Sequence, residues 1–142
     1  MATKEDYAAL SAIVYNNVRG KLNQLTSLPP GWTFLTTSDT SLTGFTASAF
    51  RNTAGEIVIA YKGTDTVNVL QTAQDFVTGN MAALGGSVQL IQAALFYEHV
   101  KTDYGSNITF TGHSLGGGMA SVMGAWFGRP ATKSKVPESI YF

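Results

Sequence analysis

The residues Gly112-His113-Ser114-Leu115-Gly116 have the G-x-S-x-G spacing of a serine held up for nucleophilic attack. The chemistry needs that spacing for a steric reason. A strand turning sharply into a helix forces the serine at the apex into a strained backbone, with its hydroxyl clear of the sheet. Glycines two positions to either side remove the β-carbons that would collide across the turn. The helix that follows points unpaired N–H groups and its positive dipole end at a developing oxyanion. Leu115, directly after the serine, supplies one such N–H. The other use of a glycine-rich strand-to-helix turn is a phosphate cradle. Here no lysine follows the glycines and no G-x-G-x-x-G spacing is present, which argues against it.

The elements around the motif are the ones it requires. Asn107-Ile-Thr-Phe-Thr-Gly112 reads as a short strand entering the turn, and a helix is expected from the motif to about Phe127, where Arg129-Pro130 stops it. Upstream, Phe45–Phe50 and Glu56–Tyr61 read as a hairpin turning through Asn52 to Gly55, its second strand the deeper one. Ser87 caps a helix to about Lys101, with Val88, Ile91 and Leu95 on its apolar face. Thr3 and Asp6 have the spacing of a capping box. Tyr7, Leu10, Val14 and Val18 form a stripe behind it, and Gly20 ends that first helix. Residues 23 to 44, rich in Thr, Ser, Pro and Gly, read as an irregular surface connection pinned by Trp32 and Phe34. Met119, Val122, Met123 and Trp126 read as core. After a polar loop, Ser139–Phe142 reads as the opening of a further strand. Strands and helices alternate from residue 56 onward, which predicts an α/β architecture with a mostly parallel sheet in a single domain over residues 1–142.

At this point the sequence resembles the class 3 lipases, which include fungal triacylglycerol lipases and bacterial phospholipases A1. Ile108–Gly117 is similar to that family's elbow. Ile59-Ala-Tyr-Lys-Gly-Thr64 is similar to its strand ending in an aromatic, a basic residue, Gly, and Ser or Thr. The resemblance implies an α/β-hydrolase core, an ester hydrolase acting on lipids, and an oxyanion hole shared by Thr64 and Leu115. It implies no metal and no organic cofactor. It also places a lid at residues 65–86. Val67, Val69, Leu70, Phe76, Val77 and Met81 would supply the apolar face of such a lid, and the same residues equally suit a surface loop with one buried side. Asp65 either braces the oxyanion loop or is a solvated turn residue.

A serine nucleophile needs a base, normally a histidine oriented by a carboxylate. In this fold those partners follow the serine in the chain. After Ser114 there is no histidine and no aspartate, and the single acid is Glu138. The resemblance therefore implies the N-terminal part of a hydrolase, an incomplete core ending in the strand after the elbow helix. His113 sits beside the nucleophile, but neighbouring side chains on a sharp turn point apart, and the family usually carries a packing histidine there. His99, near the end of the preceding helix, reads as a helix-dipole or core residue. Two rival readings are an inactive hydrolase that binds lipid or protein, and a module that pairs with a complementing C-terminal segment or with itself through an open sheet edge.

Composition narrows the partners. Nine basic residues balance nine acidic ones, so the basic excess of a nucleic-acid binder is missing. With no cysteine, neither a disulfide framework nor a thiolate site is available. The polar start, Met1 to Tyr7, has no apolar core of a classical signal peptide, which leaves export by a C-terminal or non-cleaved signal open. The resemblance to the class 3 lipases, rather than composition, implies lipid esters, met in transient contact with a lipid surface, as the substrates.

Overall fold

The computed structural model describes residues 2–14, 28–38, 45–62, 86–113 and 115–133. Their elements run α1 (Lys4–Ile13), β1 (Trp32–Thr37), β2 (Thr46–Asn52), β3 (Ile57–Lys62), α2 (Gly86–Tyr104), β4 (Ile108–His113), α3 (Leu115–Phe127) and β5 (Ala131–Lys133). The five strands form one mixed sheet in the order β1-β2-β3-β4-β5. β1, β2 and β3 pair antiparallel; β3, β4 and β5 pair parallel, as the alternation from residue 56 predicts.

Side chains alternate across a strand, so each strand serves two cores. On one face Ile57, Ile59 and Tyr61 join Ile108 and Phe110 beneath α2 and α3. On the other, Val58, Ala60, Phe50 and Trp32 pack against Leu10 of α1 and Val14 at its C-cap. All six residues of β3 are buried, as a strand covered on both faces must be.

Local chemistry explains the boundaries. The capping box of α1 is present in both directions: the Asp6 amide donates to Thr3 Oγ1 at 3.1 Å and the Thr3 amide to the Asp6 carboxylate at 2.9 Å. Val18 and Gly20 lie outside the described residues. Between β2 and β3, Asn52 Oδ1 accepts from the amides of Ala54 and Glu56 at 3.0 and 2.9 Å, and Gly55 takes the positive φ of 86° that closes the turn. The Asn52 side-chain amide, donating to Glu56, holds that carboxyl below its ordinary range. α3 ends at Gly128, whose φ of 63° lets the Arg129 amide reach back to the Gly124 carbonyl at 2.9 Å.

Four sequence expectations need correction. Trp32–Thr37 is a strand, not part of an irregular connection: a type II-like turn at Pro29–Trp32, with Gly31 at φ 85°, launches it into antiparallel pairing with β2. Ala131–Lys133, expected in a polar loop, is a short strand beside β4. The apolar face of α2 is rotated from the one expected. Leu90, Ala93, Phe96, Tyr97 and Val100 are buried, whereas Ile91 and Leu95 are 59% and 64% exposed. Trp126 belongs to the surface rather than the core, unlike the buried Met119 and Met123. The expected strand Ser139–Phe142 lies outside the described residues.

Candidate active site

The parallel strands β3 and β4 end side by side. Tyr61 is in register with Gly112, and Lys62 with His113. In open α/β sheets ligands bind at the carboxyl ends of the strands, and both sequence motifs meet there. β4 ends at His113 and α3 begins at Leu115, so the reversal from strand to helix is completed across one residue. Leu115 opens α3, where a first-turn amide has no acceptor inside the helix.

The tightness of that reversal shows at Gly112. A β-carbon there would run into the Gly116 carbonyl group and stand 2.6 Å from the Gly117 nitrogen. Gly112 does not have a positive φ. Space, rather than backbone freedom, is what requires glycine at this position. Gly116 itself is buried in the first turn of α3.

Ser114 and Thr64 lie outside the described residues, as do Asp65 and the rest of the segment expected to form a lid up to residue 85, whereas Gly86 opens α2. The structure thus brings together the flanks of the site: Tyr61 and Lys62 from β3, Gly112 and His113 from β4, Leu115 and Gly116 from α3. His99 is not part of it. That side chain is half exposed on α2, its Nδ1 3.5 Å from the Asp103 carboxylate one helical turn on, so it is a surface residue and not a core one. Among the described residues no three His, Asp or Glu side chains are grouped to hold a metal ion.

His113 is half-buried, and burial lowers its pKa because the charged ring loses hydration. The sign of the consequence follows. An unfolded histidine takes a proton below about pH 6.5, while the folded His113 resists it to lower pH. From about 6.5 down to the folded value the unfolded chain binds more protons, so stability falls with pH; above that window this residue makes no difference. We expect His113→Gln to lose less stability than the wild-type protein between about pH 7.5 and pH 5.5, read from urea midpoints. Equal losses in the two proteins would remove His113 from the acid response.

Two features at this end of the sheet were not read from the sequence. Tyr61, noted there as the aromatic before Lys62, is wholly buried and donates its phenol proton to the Ala93 carbonyl of α2 at 3.0 Å. Lys62 is buried as well, at 2% exposure, on the α1 face of the sheet. Their sequence signals were the aromatic-basic pattern shared with the class 3 lipases and a position at the end of an apolar strand, neither of which foretells the phenol bond or the burial of the lysine.

A family model described as a phospholipase-like, Tle-like phospholipase domain matches residues 6–134. The chain belongs to this family of phospholipase-like domains. The matched span takes in every described element from the end of the first turn of α1 to β5. Solved lipases share the fold. A fungal lipase bound to an inhibitor superposes with a TM-score of 0.57 at 21% identity, over 86% of this chain and 52% of that one. The lipase of Rhizopus microsporus var. chinensis gives 0.51 at 21% identity, over 87% and 50%. A triacylglycerol lipase whose catalytic centre is a serine-protease triad gives 0.53 at 19% identity, over 86% and 52%. The Tle-like domain therefore has an α/β-hydrolase core, and the chain spans about half the length of these solved lipases. No curated protein matches it.

Proposed function

We propose that this Tle-like domain carries the nucleophile half of a lipid ester hydrolase, with Ser114 as nucleophile. The observation that supports the reading is that a β-carbon at Gly112 would overlap the Gly116 carbonyl group, so β4 and α3 approach closely with one residue of sequence between them. That residue is Ser114. Its Oγ attacks the ester carbonyl carbon while a base takes its proton. The N–H of Leu115, aided by the dipole of α3, and Thr64 hold the tetrahedral oxyanion. Collapse expels the alcohol, which leaves with the proton from the base, and forms an acyl-enzyme. The same base then deprotonates a water that hydrolyses it.

The base is assigned to a histidine other than the two in these 142 residues. His99 pairs with Asp103 on the surface of α2, and His113 is the immediate neighbour of the serine. A complementing segment bearing that histidine and its carboxylate is the partner this reading requires. The substrate class is a lipid carboxylic ester, met at a lipid surface. Labelling with a fluorophosphonate tests the reading. Ser Oγ displaces fluoride at phosphorus only when a base activates it, so the native polypeptide carrying this sequence should take one label on the peptide containing Ser114. A label confined to another residue would refute the assignment.

A further inference from the structure

We infer that Tyr61 is a positioning residue, fixing the end of β3 against the elbow strand through its phenol bond to α2; the inference rests on the ester-hydrolase reading above. Tyr61 is the register partner of Gly112, two residues before the nucleophile, and lies three residues before Thr64. Gly112 presents no side chain to Tyr61, and the room a β-carbon would need there is filled by the α3 backbone, so the Tyr61 ring meets β4 at Phe110. The ring stacks on Phe110 of β4 with centroids 5.8 Å apart and planes at 20°, and tilts against Phe45 at 6.1 Å. Its hydroxyl, buried, reaches the Ala93 carbonyl at 3.0 Å. One side chain therefore touches the nucleophile strand with its face and α2 with its tip, while its backbone carries the chain toward Thr64.

The hydroxyl is not required for packing. Ala93 lies in the middle of α2, where its carbonyl already accepts an intrahelical bond, so the fold does not depend on the phenol to satisfy it. Burial pushes the Tyr61 pKa well above 10, so the group stays a neutral donor throughout the working range. What the bond adds is a fixed distance between β3 and α2 and a fixed rotation of the ring beneath the elbow. An oxyanion donor acts only when held in place beforehand, and a misplacement of about 1 Å can cost about 10²-fold in rate.

The test is Tyr61→Phe in the native polypeptide, assayed on p-nitrophenyl butyrate and normalised to sites titrated by fluorophosphonate. We expect kcat to fall about tenfold with KM within about twofold, since a smaller displacement than 1 Å is at issue. Phe45→Leu is the packing control: it loosens the same ring without touching the phenol, and should lower the melting temperature while leaving kcat per titrated site unchanged. If Tyr61→Phe keeps its kcat and only melts earlier, the residue is structural and the inference fails. If Phe45→Leu loses kcat as much as Tyr61→Phe, packing alone sets the geometry and the inference also fails. Failure of the underlying reading shows elsewhere, as an esterase activity that survives Ser114→Ala.

Discussion

Ser114→Ala is expected to abolish ester hydrolysis in the native polypeptide, by about 10⁶-fold in kcat where serine and base act as a unit. The size of the effect depends on the base, which makes the substitution informative twice. Knocking out a nucleophile or its histidine alone costs about as much as removing both, because neither works without the other. Residual catalysis of about 10³–10⁴ over water then comes from the oxyanion donors and binding. In the 142 residues alone, with the base assigned elsewhere, wild-type and Ser114→Ala should hydrolyse p-nitrophenyl butyrate at the same slow rate. A rate that the substitution lowers in those residues alone would place a base within them, at His99, at His113 or in a second copy. If the native polypeptide keeps its activity in Ser114→Ala, Ser114 is not the nucleophile. If that polypeptide has no activity in either form, the domain is better read as a binding module on a hydrolase scaffold.

The parts of the fold that could be read from sequence are those decided by neighbours in the chain. The capping box needs residues three apart, Thr3 and Asp6, and both bonds are present. The hairpin between β2 and β3 is dictated by Asn52 and Gly55, again a local matter. The elbow is local too: strand, one residue, helix. Elements fixed by distant partners were not legible. Trp32–Thr37 has the aromatic and β-branched residues of a strand, but Pro29-Pro30-Gly31 before it carries the signature of a loop. Only the ladder to β2, some fifteen residues away, turns it into sheet. β5 has three residues and no apolar run, so its existence depends on β4 beside it.

The face of α2 failed for a different reason. Its middle reads Leu90-Ile-Gln-Ala-Ala-Leu-Phe-Tyr97, apolar nearly all round, so two stripes fit the helical period equally well. Volume and aromatic packing choose between them. Tyr97 stacks on Phe127 at 4.1 Å and tilts on Phe110 at 5.5 Å, and Tyr104 reaches the Leu35 carbonyl, which turns that side inward. Ile91 and Leu95 are left facing outward. At the site the same division holds: the chemistry proposed for Ser114 is argued from residue types in one short window, whereas the burial of Tyr61 and Lys62 depends on layers above and below β3 that no short window contains.

Gly112→Ala should damage both stability and activity, and the ratio between them tests how the elbow is built. In most turns a glycine is chosen for a positive φ, and alanine there costs strain that a small backbone rotation relieves. Gly112 is different, because its φ is not positive and the obstacle is backbone. The added carbon would overlap the carbonyl of Gly116 and press on the nitrogen of Gly117, atoms that cannot rotate away as a side chain can. Relief requires α3 to lift from β4. That helix is held down by buried Met119, Ala120 and Met123 in the same core as Tyr61 and Phe110, so lifting it opens packed apolar contacts as well. Overpacking in a core costs about 1–3 kcal/mol where side chains can adjust. With backbone as the obstacle, about 3 kcal/mol or more is expected, a large part of the ~5–15 kcal/mol that holds a domain folded. Whatever folds would present Ser114 displaced from its acceptors, and a shift of about 1 Å costs about 10²-fold in rate. Urea denaturation and kcat per titrated site read the two effects separately. A Gly112→Ala protein that is as stable and as active as the wild type would mean that β4 and α3 do not meet this closely, and the nucleophile elbow would lose its structural support.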